Sequence, residues 1–556
     1  MVPIPSVFDN IPQELLDKIA SALPLSSLAA LSAACKPLYF RILPLLYESI
    51  SLQFYTSECG RGRELHLLHS PVHLFFRTVR QRPLLGTYVK SSCFDIRQTK
   101  FHGSTKIVCN KPSPDLCDIW NGLVRELALP FSQKLEADIQ LGHPSAFIAL
   151  LLTQLPNLEK LRLGYGFFQE SKQIADMLEF IGSEPLSYRG SRFSSLKEIY
   201  VQNDIDGAIA YDDDATTKAN RSFLDFPSLE LLDIIVQEPR DKRLESVGDK
   251  NSKPLLPHLK TLRLTDNGVS MNSLAFVLST VPSLTTFDYF RAQNIEALKF
   301  DRTYRHHHTN HWQLLTSTLS TTHSHTLKHL TIAADSGDID EWPPHNMDRN
   351  WVSTIWLRQG SLSSLSQFTA LQNLEAPIAV LLGWYPDFLN RTLRGILPPS
   401  LRHLTLNDDL SAYNHTYKWT TWHRKHIEAT PDRPRQVHEF SDSTPIFQQL
   451  RDYLLPAAPH HKPLNLRSLR LRMREGQHWN LSQLRILEQI CREARVLCIV
   501  YERMKSYRPR CDRLTGDMRE MVIYDPSDPN SGSNEFWEKP DYPSRYYCES
   551  TKRFFY

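Results

Sequence analysis

The feature that most constrains this 556-residue chain is a spacing of apolar residues that returns along most of its length. In each copy an apolar residue is followed by two variable residues, a second apolar residue, one variable residue and a third apolar residue. The last two apolar residues lie two apart and so point to the same side of a short strand. A strand with one buried side must stack against its neighbours, so the pattern predicts strands packed in parallel along one axis. The copies begin at Leu158, Leu196, Leu229, Leu259, Leu284, Leu327, Leu371, Leu401 and Leu466, with a weaker one at Val124.

The residues around these copies favour a repeated α/β unit. A proline stands two residues before the first leucine of five copies, at Pro156, Pro227, Pro257, Pro282 and Pro399. Apolar residues recur at helical spacing between copies, in residues 174–181, 271–278 and 446–454. The distance between successive first leucines varies from 25 residues (Leu259 to Leu284) to 65 (Leu401 to Leu466). Since a regular leucine-rich array repeats every ~20–29 residues, we expect an irregular array with inserted loops at 211–218, 302–325, 334–350 and 408–443.

Bulk composition limits the classes of partner. Hydrophobic residues make up 41% of the chain, and 64 basic against 61 acidic residues give a net charge of +3. This near-neutrality gives no electrostatic reason to expect nucleic acid or an anionic membrane as the main partner. Apolar runs stay far below the ~20 residues that span a bilayer, and the first residues lack the pattern of a secretory signal. Nine cysteines with no CxxC pair predict reduced thiols in the cytoplasm or nucleus, without a metal site.

Residues 11–50 predict three short helices. Pro12 suits the first turn of a helix, and Pro24 ends that helix. Ser26 or Ser27 is placed to cap the second helix, and Pro44 to bend the third. About forty residues in three helices cannot bury all their apolar side chains alone. The segment is therefore either a cap that closes the core of the repeat array or a module that docks onto another protein.

The same segment resembles an F-box, on the run Ile11-Pro12-x-Glu14-Leu15-Leu16-x-x-Ile19, then Leu23, Leu25, Leu28, Leu31 and Cys35-Lys36. The stretch from Leu45 to Leu52 is similar to the end of that motif in fungal F-box proteins, and the later repeats are similar to their leucine-rich half. The resemblance implies binding to the adaptor subunit of an SCF-type ubiquitin ligase and, through it, to cullin. When the adaptor-binding positions of that family are matched to this sequence, they fall on Ile11, Pro12, Leu15, Leu16, Ile19, Leu25 and Leu28.

The resulting expectation is an α/β chain with a short three-helix F-box followed by an irregular leucine-rich-repeat solenoid, a horseshoe. Its predicted parts are an F-box-like segment (1–52), a linker with first repeat elements (53–119), the solenoid (120–505) and a partly disordered C-terminal tail (506–556). The implied function is that of a substrate-recognition subunit of the ligase. The alternative is a leucine-rich-repeat scaffold outside ubiquitin chemistry, whose N-terminal helices only cap the array.

The side chains between the buried ones predict where a protein target binds. On the last copy Arg470, Arg472 and Arg474 alternate with apolar residues, and three guanidinium groups on one face suit an acidic or phosphorylated segment. Arg263 and Phe290 lie on the corresponding face of earlier copies. The alternative is a solvated strand face whose arginines pair with nearby carboxylates. The usual catalytic spacings are absent from the sequence, and the histidines at 306–308 with His311 fit a solvated loop better than a metal site. We therefore expect a non-enzymatic protein with no cofactor.

Overall fold

The computed structural model describes residues 11–58, 64–68, 72–97, 106–108, 113–164, 167, 172–183, 193–202, 222–237, 256–267, 271–292, 310–335, 360–383, 391–407, 445–455, 465–473, 481–503, 518–528, 546–548 and 553–555. The chain divides into two compact units, residues 1–259 and 260–556. Both are mixed α/β structures in which most strand pairs are parallel. Among the described helices, none combines the length and apolar composition that a membrane crossing requires.

In the first unit the described helices are α1 (Gln13–Ser21), α2 (Leu25–Ala34), α3 (Lys36–Tyr47), α4 (Val72–Gln81), α5 (Pro83–Tyr88), α6 (Pro114–Leu127), α7 (Ser132–Leu141), α8 (Pro144–Leu152) and α9 (Gln173–Ser183). The strands are β1 (Ser49–Glu58), β2 (Glu64–Leu68), β3 (Ser91–Arg97), β4 (Lys106–Val108), β5 (Lys160–Gly164), β6 (Glu198–Gln202) and β7 (Leu231–Gln237). Parallel pairing runs β1–β3–β5–β6–β7, while β2 is antiparallel to β1 and parallel to β4.

In the second unit the described helices are α10 (Met271–Ser279), α11 (His311–His323), α12 (Ile378–Leu382), α13 (Leu393–Ile396), α14 (Pro445–Leu454) and α15 (Leu481–Ala494). The strands are β8 (Thr261–Asn267), β9 (Thr286–Ala292), β10 (His329–Asp335), β11 (Asn373–Pro377), β12 (His403–Asn407), β13 (Ser468–Met473), β14 (Leu497–Arg503), β15 (Met518–Tyr524), β16 (Tyr546–Cys548) and β17 (Arg553–Phe555). Strands β8 to β14 pair in parallel in chain order, and β14 to β17 continue as antiparallel pairs.

The predicted repeat spacing is confirmed for nine strands, β5 to β13. Each of the nine copies from Leu158 to Leu466 leads into one strand, and all three of its apolar positions are buried. The prolines begin the turns that precede these strands. Two of these turns are closed by a hydrogen bond that spans the proline. At Pro156 the amide of Leu158 donates to the carbonyl of Leu155 (3.4 Å), and at Pro227 the amide of Leu229 donates to the carbonyl of Phe226 (3.2 Å). Proline favours this position because its fixed φ suits the second residue of a turn.

A repeated backbone contact sets the register between neighbouring strands. The carbonyl of the residue just before one strand accepts two amides from the start of the next. The Lys90 carbonyl, for example, accepts Glu159 N (2.7 Å) and Lys160 N (2.9 Å). The other acceptors with two donors are the carbonyls of Glu48, Glu159, Lys197, Lys260, Thr285, Lys328, Gln372 and Arg402. The contact already occurs at Glu48, so the parallel stacking in the first unit includes β1, directly after the N-terminal helices.

Three expectations from the sequence are corrected. The weak copy at 124–129 is wrong as a strand, because Val124 and Leu127 lie on α6 and face the core from a helix. The expected loop at 302–325 contains helix α11, whose Trp312, Leu315 and Leu319 are buried. Helix α2 begins at Leu25 directly after Pro24, and neither Ser26 nor Ser27 acts as its cap. The expected loops at 211–218 and 408–443 lie outside the described residues.

The C-terminal part holds strands that the sequence patterns did not predict. Strand β15 pairs antiparallel with β14, with Tyr501 opposite Glu520 in the register. Residues 525–528 of the expected C-terminal tail form a turn in which the Asp525 carboxylate accepts the amide of Ser527 at 2.8 Å. Residues 529–545 of the tail lie outside the described part of the chain. The described strands after residue 505 therefore extend the sheet of the second unit.

Candidate binding surfaces

The N-terminal helices divide the predicted adaptor-binding residues into core and surface. Leu16 is only 2% exposed and Leu28 is also buried; they pack with Ala20, Leu38 and Ile42 into one small core. Ile11 is half-buried against the edge of this core. These side chains hold the three helices together, so a role of Leu16 or Leu28 in direct docking would require the core to open.

The remaining predicted residues form an exposed apolar surface. Leu15 is 51% exposed and Ile19 48%; being four residues apart, they lie on the same face of α1. Leu25 at the start of α2 is 60% exposed, and Pro12 is exposed as well. We call Pro12, Leu15, Ile19 and Leu25 the N-terminal apolar surface. Large apolar side chains left in water mark an interaction site when several occur together.

Sequence reasoning missed Phe40, an exposed aromatic residue of α3. Its ring is 60% exposed and packs edge-on against Tyr39. The signal was present in the sequence, since Leu38 and Ile42 define the buried face of α3 and a residue two positions from each lies on the opposite side. An exposed phenylalanine on the neighbouring helix adds to the apolar area that the three helices leave in water.

Polar contacts join α3 to the start of α1 and to the residue that precedes β3. The Arg41 guanidinium on α3 donates to the Ile11 carbonyl and, at 2.9 Å, to the Gln13 side chain. At the far end of α3 the Glu48 carboxylate receives Lys90 Nζ at 2.8 Å. This hydrogen bond and the attraction to Glu48 raise the pKa of Lys90, despite the opposing effect of partial burial. The helices are thus held at a defined position beside the first strands of their unit.

The side chains that alternate with the buried ones along the strands form what we call the outward face of each unit. In the first unit this face carries a compact charged cluster on β5 and β6. Lys160 Nζ lies 2.6 Å from the Glu198 carboxylate, which also accepts the Tyr200 hydroxyl at 3.0 Å. The cations of Lys160 and Arg162 each lie 4.8 Å from the centre of the Tyr200 ring. Burial alone would raise the pKa of Glu198, but hydrogen bonds from Lys160 and Tyr200 outweigh it and lower that pKa. Each described charge of this cluster thus has a partner within it.

On the outward face of the second unit, two of the predicted target-binding residues make internal contacts. Arg263 Nε lies 2.9 Å from the Asp288 carboxylate on the next strand. Arg472 Nη1 lies 2.7 Å from Glu375, two strands away, and its guanidinium lies 5.9 Å from the centre of the Tyr501 ring. These two pairs match the alternative of a solvated strand face with charge pairing.

Two more of the predicted target-binding residues stand apart. Phe290 is half-buried, in register with Thr265 and Ala333 on the neighbouring strands. Arg470 is also half-buried, and its Nε has no hydrogen-bond partner among the described residues. The structure therefore does not gather the four described residues of this prediction into one site. Arg474 lies outside the described part of the chain.

His311, assigned from the sequence to a solvated histidine loop, is buried on α11. Its ring lies 2.8 Å from the Tyr289 hydroxyl and contacts the Arg291 guanidinium, so it forms part of the core behind β9. Histidines 306–308 lie outside the described residues. Within the described ranges, no group of three or more His, Cys, Asp or Glu side chains is placed to hold a metal ion.

Comparison with known proteins adds no assignment. No protein-family model matches the chain, and no curated protein sequence is significantly similar to it.

Proposed function

We propose that this chain is the substrate-recognition subunit of an SCF-type cullin ubiquitin ligase, an F-box protein with leucine-rich repeats stacked as an irregular solenoid. In this proposal the N-terminal apolar surface docks onto the adaptor subunit, and the outward face of the repeats holds a protein target. Transfer of ubiquitin is carried out by other subunits, so this chain contributes proximity and no catalytic group.

The observation that carries the proposal is the division of α1 into a buried and an exposed apolar side. Leu16 and Ala20 face the small core, whereas Leu15 and Ile19, about 100° around the helix axis from them, stay in water. A helix that only closed the array would need one apolar stripe, directed inward. On α1 the apolar face is wider than the small core covers, and a partner that covers Leu15 and Ile19 accounts for the exposed part.

The repeats support the second half of the proposal. Parallel strands with small turns place their outward side chains in ordered rows, about 4.8 Å apart from strand to strand. Such rows form the extended binding surfaces of leucine-rich-repeat proteins. The described rows carry charged, polar and aromatic side chains, such as Arg162, Glu375 and Tyr501, which suit recognition of another protein.

The test is binding of the purified adaptor subunit to the full-length chain by pull-down and by titration calorimetry. The informative variant is Leu15→Asp combined with Ile19→Asp, because both side chains are exposed and the changes leave the core intact. The Leu16→Asp change is unsuitable, since it would place a charge inside the core of the helices. Leu141→Asp, at the exposed end of α7, is the matched control: Leu141 is 50% exposed and Leu15 is 51% exposed.

We expect the wild type and Leu141→Asp to bind the adaptor equally well, and the double variant to lose at least 100-fold in affinity. Two apolar contacts replaced by buried charges account for a loss of this size. Unchanged thermal unfolding of the double variant shows that the loss lies in the contact. Absence of binding by the wild type, or equal binding by the double variant, would overturn the proposal.

The alternative is a leucine-rich-repeat scaffold in which the N-terminal helices only cap the array. One observation favours it: α3 runs directly into β1, the neighbour of β3 in the parallel sheet of the first unit. A segment in that position shields the sheet whether or not it also docks. If the wild-type chain does not bind the adaptor, capping of the sheet remains as the role of the N-terminal helices.

A further inference from the structure

Three arginines lie together where β12 and β13 begin. Arg402 and Arg467 occupy the same position before their two strands, and the amide of Arg467 donates to the Arg402 carbonyl at 2.7 Å. Arg470 stands on β13, in register with Thr405 of β12. His403, the first residue of β12, has its Nδ1 2.8 Å from the hydroxyl oxygen of Ser468, the first residue of β13. The cluster thus occupies the first turn-to-strand segments of two adjacent repeats.

The charges of this cluster are not balanced from within. Across the described ranges of the chain, no carboxylate lies within ion-pair distance of Arg402, Arg467 or Arg470. Arg472, two residues further along the same strand, differs because Glu375 holds it at 2.7 Å. Arg402 and Arg467 are exposed, so their guanidinium groups are open to a ligand.

The lowered pKa of His403 is consistent with a positive electrostatic field from the three arginines. Burial lowers the pKa of His403, and the charges of Arg470, Arg467 and Arg402 lower it further, with a smaller part from His329. These are the charged and titratable groups of the described chain that act on the imidazole, and all of them act in the same direction. A field of one sign with no internal counter-ion attracts an anion.

We propose that Arg402, Arg467 and Arg470 bind a multiply anionic group of a protein segment, either one phosphate or two neighbouring carboxylates. Guanidinium groups bind such oxygens through two parallel hydrogen bonds, which gives both strength and orientation. The inference deepens the target-binding half of the proposed function and rests on it for the choice of a protein ligand. A long polyanion such as nucleic acid fits poorly, because Asp288 and Glu375 lie on the outward face of the same unit.

The test uses the full-length chain and three fluorescent peptides of one neutral sequence. Their central position carries serine, phosphoserine or a Glu-Glu pair, and binding is followed by fluorescence anisotropy at fixed ionic strength. Arg470→Gln and Arg467→Gln probe the cluster. Arg485→Gln, an exposed arginine on α15, is the control that removes one charge without touching the cluster.

We expect an anionic peptide to bind, the serine peptide to bind at least tenfold more weakly, and each cluster variant to lose about tenfold in affinity. That loss corresponds to one charge-assisted hydrogen bond. The tighter of the two anionic peptides identifies the ligand as phosphate or as paired carboxylates. Equal weakening by Arg485→Gln and Arg470→Gln would show general charge attraction and overturn the proposal, as would a failure of both anionic peptides to bind.

Inorganic phosphate provides a second readout that a structural role of the arginines would not produce. An anion held beside the guanidinium groups reduces the positive field, so phosphate should raise the pKa of His403 in an NMR titration of labelled histidines. The rise should shrink in Arg467→Gln, which is exposed and leaves the core untouched. If phosphate leaves the pKa of His403 unchanged in the wild type, the proposal is contradicted. Neither the peptide assay nor the NMR titration needs the adaptor. A negative result in these assays can therefore be told apart from a negative result in the adaptor-binding test of Leu15 and Ile19.

Discussion

Helix α5 lies very close to the turn after α8. Because of this contact, we predict that replacing glycine by alanine destabilises the first unit at Gly86 on α5 but stabilises it at Gly122 on α6. A Cβ atom added at Gly86 would lie 2.2 Å from the Gln154 carbonyl oxygen and 3.1 Å from the Val79 side chain. A Cβ atom at Gly122 on α6 would meet nothing within 4 Å. The first glycine is therefore required by close packing, whereas the second is a weak point in an exposed helix face.

The magnitudes follow from these distances. Alanine replaces glycine inside a helix with a gain of about 1 kcal/mol, so Gly122→Ala should stabilise the first unit by about that amount. At Gly86 ordinary contact with the oxygen begins near 3.4 Å, so the backbone has to move by more than 1 Å. Overpacking costs ~1–3 kcal/mol, and this clash with a backbone atom belongs at the upper end. After the helical gain, Gly86→Ala should destabilise the unit by about 2 kcal/mol.

The assay is differential scanning calorimetry of the full-length chain with each variant. For a unit of this size about 1 kcal/mol corresponds to roughly 2–4 °C in Tm, so the two variants should differ by about 6–12 °C. Hydrogen exchange of peptides covering residues 83–88 and 144–155 identifies the transition that belongs to this contact. Equal stabilisation by both alanines would refute the close approach of α5 to the carbonyl of Gln154.

Two further predictions concern stability. Burial lowers the pKa of His323, whose ring also contacts the Leu278 carbonyl at 3.0 Å, so the folded state favours the neutral imidazole. The unfolded chain then binds the additional proton below about pH 6.5, and we expect the second unit to lose stability as pH falls from there. In thermal melts, His323→Gln should reduce this loss between pH 7.5 and pH 5; an unchanged pH dependence would contradict it. In the N-terminal helices, Leu16→Ala should lower the free energy of unfolding by about 2–5 kcal/mol in denaturant titrations, whereas Leu15→Ala on the exposed side should change it by less than about 0.5 kcal/mol. Similar losses at both positions would contradict the division of α1.

The sequence predicted the parallel strands well where leucine or another large apolar residue fills the buried positions. It missed β3 because Ser92, fully buried, occupies the position that Leu161 fills on the neighbouring strand. A small polar residue at a core position removes the apolar spacing without removing the strand. The helix α11 was missed for a related reason, since its serines and threonines suggested a loop although every third or fourth residue is buried.

The candidate surfaces were predicted less completely, and the reason is geometric. The spacing of Leu15, Leu16 and Ile19 shows that α1 is apolar, but only packing decides which of these side chains lies inside. On the repeats, alternation correctly predicts that Arg472 and Arg263 point outward. It carries no information about the carboxylates of Glu375 and Asp288 that neutralise them, because those residues are distant in sequence.

The paired backbone contacts between the repeat strands have a consequence for how such a chain tolerates insertions. Because amides and a carbonyl set the register, the length of chain between two strands does not alter their alignment, and side-chain identity at these positions is free. Only proline is excluded at the donor positions, for it has no amide hydrogen to give. The 60 residues between Asn407 and Ser468 can thus lengthen or shorten while β12 and β13 keep the register in which Asn407 meets Arg472. Insertions and deletions between repeats are therefore, in this architecture, a means by which new recognition loops can arise.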